Sequence, residues 1–194
     1  VIPSGMPSFN NQKGYDFEPE KAKSLIAEFV KATGIKTPKV VLSTNATYID
    51  IAEFLQREWQ KIGLDVEIDV NPPSTLRQAI ATGKVTFFRA SWIADYPDAE
   101  NYLSLFYSKN FAPNGPNYTH FSNAQFDALY EKAFLETDDA KRFELYQQMD
   151  QIIIEEAPII PLFYDKVARF TRKNVEGLGI NPLNLLSLKT VKKI

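Results

Sequence analysis

Leu64-Asp65-Val66-Glu67-Ile68-Asp69-Val70 alternates aliphatic and acidic residues without a break, the period of two that belongs to a strand with one buried and one wet face. It reads as a strand near a sheet edge. Upstream, residues 39–44 (Lys-Val-Val-Leu-Ser-Thr) read as a short buried strand, and Ile51, Leu55, Trp59 and Ile62 then line one face of a helix that stops at Gly63. Beyond the Pro72-Pro73 turn, Leu76, Ala79 and Ile80 suggest a short helix. Residues 85–89, which include Val85, Thr86, Phe87 and Phe88, have the β-branched and aromatic composition of a third strand. Strand, helix, strand, helix, strand is the order of parallel crossovers, so the expected fold class is α/β, a mostly parallel sheet flanked by helices.

Working outward, residues 1–13 are rich in Pro, Ser, Asn and Gly and read as a linker or an extended crossing. Pro19 then opens an amphipathic helix carrying Ala22, Leu25, Ile26, Phe29 and Val30, with Gly34 just past its end. On the other side, Tyr102, Leu105 and Phe106 imply a short helix, followed by an irregular, Pro- and Asn-rich flap over residues 110–119. Asn123 is placed to cap a helix bearing Phe126, Leu129, Tyr130, Ala133 and Phe134, and Thr137 or Asp138 to open another with Leu145, Met149, Ile152 and Ile153 on its buried side. Pro158 ends that helix. Residues 159–164 and 167–171 read as two further strands, 177–188 as loop, and 187–194 as a strand lacking its partner.

The chain has 194 residues, enough for one sizeable domain or one lobe of a larger protein. Its 44% apolar and 24% charged residues are ordinary for a globular protein. With 22 basic and 24 acidic residues there is no global positive field to attract nucleic acid. The small basic tail of Lys189, Lys192 and Lys193 reads as a solvated end. Cysteine is absent, which excludes disulfides, thiolate metal sites and cysteine nucleophiles. No apolar run reaches the roughly 18 residues needed to span a membrane. A chain that opens on Val1 reads as a fragment of a longer protein.

Chemistry concentrates in residues 89–98, Arg-Ala-Ser-Trp-Ile-Ala-Asp-Tyr-Pro-Asp, at the carboxyl end of the third expected strand, where ligands bind in open α/β sheets. A carboxylate at Asp95 beside the Trp92 and Tyr96 rings can receive an ammonium group by charge-assisted hydrogen bonding and cation–π attraction. Arg89 can receive a carboxylate. Together they suggest a zwitterionic ligand, with peptides the obvious candidates. The plainer alternative is that Arg89 and Asp95 pair with each other, Trp92 is core, and Asp98 caps a helix starting near Ala99.

Four segments resemble the C-terminal lobe of the family 5 extracellular solute-binding proteins, the dipeptide- and oligopeptide-binding components of bacterial ABC importers. Gly14-Tyr15-Asp16-Phe17-Glu18-Pro19-Glu20-Lys21-Ala22-Lys23-Ser24-Leu25-Ile26 resembles the segment in which an aromatic and an acidic residue precede a Pro-Glu-Lys-Ala helix start. Phe121-Ser122-Asn123 with Phe126-Asp127-Ala128-Leu129, and Glu156-Ala157-Pro158-Ile159-Ile160-Pro161-Leu162-Phe163-Tyr164, are similar to two other recurrent stretches. The fourth, Trp92-Ile93-Ala94-Asp95-Tyr96-Pro97-Asp98, resembles the Trp-x-x-Asp loop that supplies the aspartate for a peptide's α-amino group. The resemblance implies that Asp95 anchors the ammonium, Trp92 lines the cleft, Arg89 meets a ligand carboxylate, Tyr96 forms a wall, and Asp98 is left as a cap.

It further implies the C-terminal lobe of a type II periplasmic-binding-protein fold, with residues 14–186 the ligand-binding lobe. Residues 1–13 and 187–194 become crossings to a missing N-terminal lobe. The expected partners are a peptide ligand and a membrane permease of an ABC transporter, and the expected location is extracytoplasmic, either periplasmic or as a membrane-anchored lipoprotein. No cofactor, metal or nucleic acid is expected. Related lobes also serve as ligand-sensing modules of bacterial regulators or as receptors for nickel chelates, haem or sugars, because fold does not settle ligand.

An enzyme would need a nucleophile with a base and an orienting group. The single histidine, His120, lies in an Asn-Tyr-Thr-His-Phe stretch without a nearby acid, and the pairs Asp138-Asp139 and Glu155-Glu156 are adjacent residues that do not face one another on a helix. No catalytic site is expected.

Overall fold

A computed structural model describes residues 1–181, 183 and 185–194. The loop expected over 177–188 therefore falls partly, at Pro182 and Asn184, outside the described residues. The chain divides into two compact units, Gly14–Ser91 with Phe111–His120, and Val1–Lys13 with Trp92–Asn110 and Phe121–Ile194.

The first is a sheet unit. Strands β1 (Lys39–Thr44) and β2 (Asp65–Val70) pair in parallel over their full length, from Lys39 opposite Asp65 to Thr44 opposite Val70. Helix α2 (Ile49–Gln60) makes the crossover between them. It covers one face, so that Ala52, Leu42 and Val66 are buried with Trp59 and Phe87 packed against them. The expected alternation in β2 holds only at its start, with Val66 buried and Glu67 exposed; Ile68 and Asp69 are both half-buried and Val70 is exposed at the strand's end. Helix α3 (Pro73–Ala81) follows, with Leu76 and Ile80 buried.

Two expectations for this unit change in detail. The third strand shrinks to a single parallel bridge between Phe88 and Ser43, made by Ser43 N–H donating to Phe87 O and Arg89 N–H donating to Ser43 O, both at 3.0 Å. These bonds use the edge of β1 that faces away from β2, since the β2 side is occupied by the carbonyls of Pro38 and Thr44. Helix α1 (Pro19–Thr33) forms with Gly34 in the left-handed conformation at its end. Its apolar stripe buries nothing fully, and Leu25 and Phe29 are exposed.

The second unit is helical. Helix α4 (Glu100–Leu103) runs into 3₁₀ turns at Ser104–Phe106 and Ser108–Asn110. Helices α5 (Ala124–Leu135) and α6 (Asp139–Glu156) pack together. Both start where sequence expects. Asn123 Oδ1 accepts from the N–H groups of Gln125 and Phe126 at 2.9 and 3.0 Å, and Asp138 Oδ1 from those of Ala140 and Lys141 at 2.9 and 3.2 Å. Leu103, Phe106, Phe126, Met149 and Ile153 form the core, while Phe134 at the end of α5 is exposed.

The strands expected over 159–164 and 167–171 do not form. No ladder covers those residues among the described ones, and a strand without a hydrogen-bonding neighbour is only a chain of suitable composition. The strand expected at the C-terminal end does find a partner, as β4 (Lys192–Lys193) pairs antiparallel with β3 (Val175–Glu176). Among the described residues no helix is long and apolar enough to cross a membrane.

Candidate functional site

The segment from Trp92 to Asp98 is irregular and belongs to the helical unit. Its two alanines are its anchors. Ala94 and Ala99 are buried in the core, whereas Asp95, Tyr96 and Pro97 between them are exposed. The chain thus arches outward, and the Asp95 carboxylate stands at the arch without a hydrogen-bond or ion-pair partner among the described residues.

Asp98 closes the arch as a cap. Its Oδ1 accepts from Glu100 N–H at 2.9 Å, satisfying an amide at the start of α4 that the helix itself leaves open. Its Oδ2 lies 3.6 Å from Arg142 on α6. Trp92 is half-buried, and its indole Nε1–H donates to Asn101 Oδ1 at 2.8 Å. The Asp95 backbone N–H reaches the same oxygen at 3.4 Å.

Tyr96 is 45% exposed and donates its hydroxyl to Glu100. Tyr130 donates to the other oxygen of the same carboxylate. Burial first, and the Glu100 carboxylate second, push both phenols above their ordinary titration range. They stay protonated and committed to Glu100, so Tyr96 offers a ligand its ring rather than its hydroxyl.

Arg89 belongs to the sheet unit. Its guanidinium carbon sits 3.3 Å from the centre of the Tyr48 ring, a stacked cation–π contact, and Nη1 is 3.4 Å from Ser91 Oγ. No carboxylate pairs with it among the described residues. The four residues singled out by sequence are therefore divided, with Trp92, Asp95 and Tyr96 brought together in one unit and Arg89 mounted in the other.

His120 stacks on Phe111, with ring centres 4.8 Å apart, and its Nε2 meets the Ala112 carbonyl at 3.1 Å. A carbonyl only accepts, so that nitrogen carries the proton and is held by backbone. Cavities of about 460 and 320 Å³ lie along residues 165–181 and beside residues 1–12. Neither is lined by Trp92, Asp95 or Tyr96. Among the described residues no group of three or more His, Asp or Glu is placed to hold a metal ion.

Sequence reasoning missed Asn101, Glu100 and Tyr130. One signal was available: a half-buried indole N–H demands an acceptor, and Asn101 is a polar residue among the apolar Tyr102, Leu103 and Phe106. The Glu100 contact to Tyr130 joins residues thirty positions apart and leaves no periodic trace.

Comparison with known proteins supplies the wider setting. The model of a family described as bacterial extracellular solute-binding proteins, family 5 Middle, matches residues 1–114. The oligopeptide-binding protein OppA of Bacillus subtilis is 30% identical over 188 residues, covering 92% of this chain and 34% of that protein. The structure of HbpA2 from Haemophilus parasuis superposes with a TM-score of 0.82 at 24% identity, over 99% of this chain and 39% of that one. The periplasmic binding protein DppA of Helicobacter pylori, in complex with the peptide STSA, superposes with a TM-score of 0.73 at 29% identity, over 80% of this chain and 31% of that one. These likenesses show the α/β fold of type II periplasmic binding proteins. The chain spans about a third of the length of the curated relatives it matches.

Proposed function

Because the chain belongs to the bacterial extracellular solute-binding proteins of family 5, we propose that it is the C-terminal lobe of a two-lobe receptor that captures peptides and hands them to the permease of an ABC importer. The receptor works outside the cytoplasm, in the periplasm or tethered at the cell surface, and binds without catalysing. Residues 14–186 form the body of the lobe, and 1–13 and 187–194 cross to the other lobe.

The observation that supports this reading is the Asp95 carboxylate, exposed and without a partner among the described residues, on an arch whose feet are buried. An importer of many peptides must draw affinity from groups that all peptides share. Asp95 takes the ammonium, the Trp92 and Tyr96 rings flank it, and the stacked guanidinium of Arg89 takes a carboxylate. Side chains are left to ordered waters, which bridge almost as well as direct hydrogen bonds. Closure of the second lobe, the hinge motion of periplasmic binding proteins, removes the ammonium–carboxylate pair from solvent and strengthens it.

Calorimetry with trialanine and N-acetyl-trialanine on the two-lobe protein tests the assignment. Asp95→Asn weakens trialanine by about 2 kcal/mol or more, the scale for leaving one charge of a buried pair unmatched, and narrows the gap between the two peptides. Equal affinities remove Asp95 from the ammonium role. Native mass spectrometry of the purified receptor identifies what it carries, and a porphyrin or a sugar there overturns the peptide reading.

A further inference from the structure

We infer that Asn101 is the positioning residue of the recognition arch, acting through a single oxygen that fixes both Trp92 and Asp95. The inference rests on the proposed peptide-binding role but concerns a residue that never touches the ligand.

Asn101 lies in α4 and is 5% exposed. Its Oδ1 accepts from the Trp92 indole at 2.8 Å and from the Asp95 backbone N–H at 3.4 Å. Both partners are donors with no accepting capacity, so the atom facing them must be the oxygen and not the amide nitrogen. The two bonds have different consequences. The first sets the plane of the ring that flanks the site. The second restrains the peptide plane preceding the Asp95 Cα, and so the direction in which Cβ and the carboxylate leave the chain.

The rest of the arch is pinned by its own short-range bonds. Asp98 N–H donates to Tyr96 O at 2.9 Å, Asn101 N–H to Asp98 O at 3.2 Å, and Glu100 N–H to the Asp98 side chain at 2.9 Å. Asp98 and Asn101 thus close the ring from 92 to 101, and of the two only Asn101 holds both recognition residues. A carboxylate free to sample several directions must be ordered when a ligand arrives, and that entropic cost weakens binding. Asn101 places the order in the unliganded protein.

The test uses the two-lobe protein with its indole nitrogens labelled, and Trp92→Phe to assign the resonance. The reference is Trp59, whose ring packs on Phe87 and whose Nε1 has no acceptor among the described residues. In the unaltered protein the Trp92 indole proton exchanges with solvent more slowly than that of Trp59. Equal rates overturn the inference, and this measurement needs neither a ligand nor a variant.

Asn101→Asp keeps an acceptor and Asn101→Leu keeps the volume without one. Trp92 stays protected in the first and loses protection in the second. Trialanine binding falls about tenfold in Asn101→Leu, the scale of one lost hydrogen bond to a buried group, and much less in Asn101→Asp. In an Asp95→Asn background the further loss on adding Asn101→Leu shrinks, because the carboxylate it oriented is gone. Full additivity overturns the positioning role. If trialanine fails to bind the unaltered protein, the peptide reading fails, and the exchange rates still decide whether Asn101 holds Trp92.

Discussion

Arg142 on α6 and Asp98 at the foot of the recognition arch are joined by an ion pair of 3.6 Å, and the same guanidinium nitrogen lies 2.8 Å from Asp139. Both Arg142 and Asp98 keep more than a quarter of their side-chain surface in solvent, which screens the attraction and leaves the Glu100 cap as the larger contribution of Asp98. Asp98→Ala removes both contacts and the hydrogen bond between the Asp98 carboxylate and the buried Tyr146 hydroxyl. The expected loss is about 1–2 kcal/mol, read as a lower urea midpoint. An unchanged midpoint would show that the arch is held without Asp98.

Phe126 is fully buried and meets Phe106 and Phe121 edge to face, with ring centres 6.4 and 5.8 Å away. Phe126→Ala opens a cavity at the centre of the helical unit and costs about 3–5 kcal/mol. Phe126→Leu refills part of it and costs less. Denaturant titrations of the two variants rank them, and similar midpoints would mean that the site collapses around the missing ring.

Lys109 and Glu131 form a surface pair at 2.6 Å, with the Tyr107 hydroxyl 2.7 Å from the same carboxylate oxygen. The hydrogen bond to Glu131 raises the Lys109 ammonium from 10.5 to about 12, and the bond from Lys109 lowers Glu131 below its ordinary 4.5. The signs follow. The Lys109 contribution to stability is complete below 10.5 and fades as pH rises through about 12. The Glu131 contribution is complete above 4.5 and fades as pH falls through its lowered value. Carboxyl-carbon NMR of Glu131 is expected to show a midpoint below the ordinary one, moving up in Lys109→Met. A midpoint that stays put would mean that the pair does not form in solution.

For Arg89 the geometry separates charge from shape. Arg89→Lys keeps the cation but loses the flat stack on Tyr48, and Arg89→Met loses both. Arg89→Met is expected to weaken trialanine by about 1.5–3 kcal/mol while leaving trialanine amide, which has no terminal carboxylate, nearly unchanged. Equal losses for the two peptides would take Arg89 out of the carboxylate role.

What could be read directly from the residues was local. Asn123 and Asp138 cap helices through atoms two or three positions away, Gly34 ends α1 in its own left-handed turn, and the alternation from Asp65 to Val70 needs only one neighbouring strand. Residues 159–164 and 167–171 have the same strand-like composition as β1, but pairing depends on another stretch of backbone, which composition cannot supply. The exposed Leu25 and Phe29 make the same point for α1, whose amphipathic period was legible although the burial it implies is incomplete. Within the site, Asp95 and Trp92 stood out by residue type and resemblance. Asn101 did not, because a buried amide acquires meaning only from the donors that fold onto it.

The segment carrying Arg89 is fastened to β1 by two backbone hydrogen bonds around Ser43, whereas β2 is laced to β1 across six paired residues. Local opening costs least where fewest such bonds break. The cation therefore rides on the loosest thread of its sheet, and amide exchange at Arg89 should run ahead of exchange at Glu67 and Asp69, whose N–H groups point at β1. A mount that detaches while the ladder beside it stays intact lets the reach of a binding site vary without unfolding the sheet that bears it.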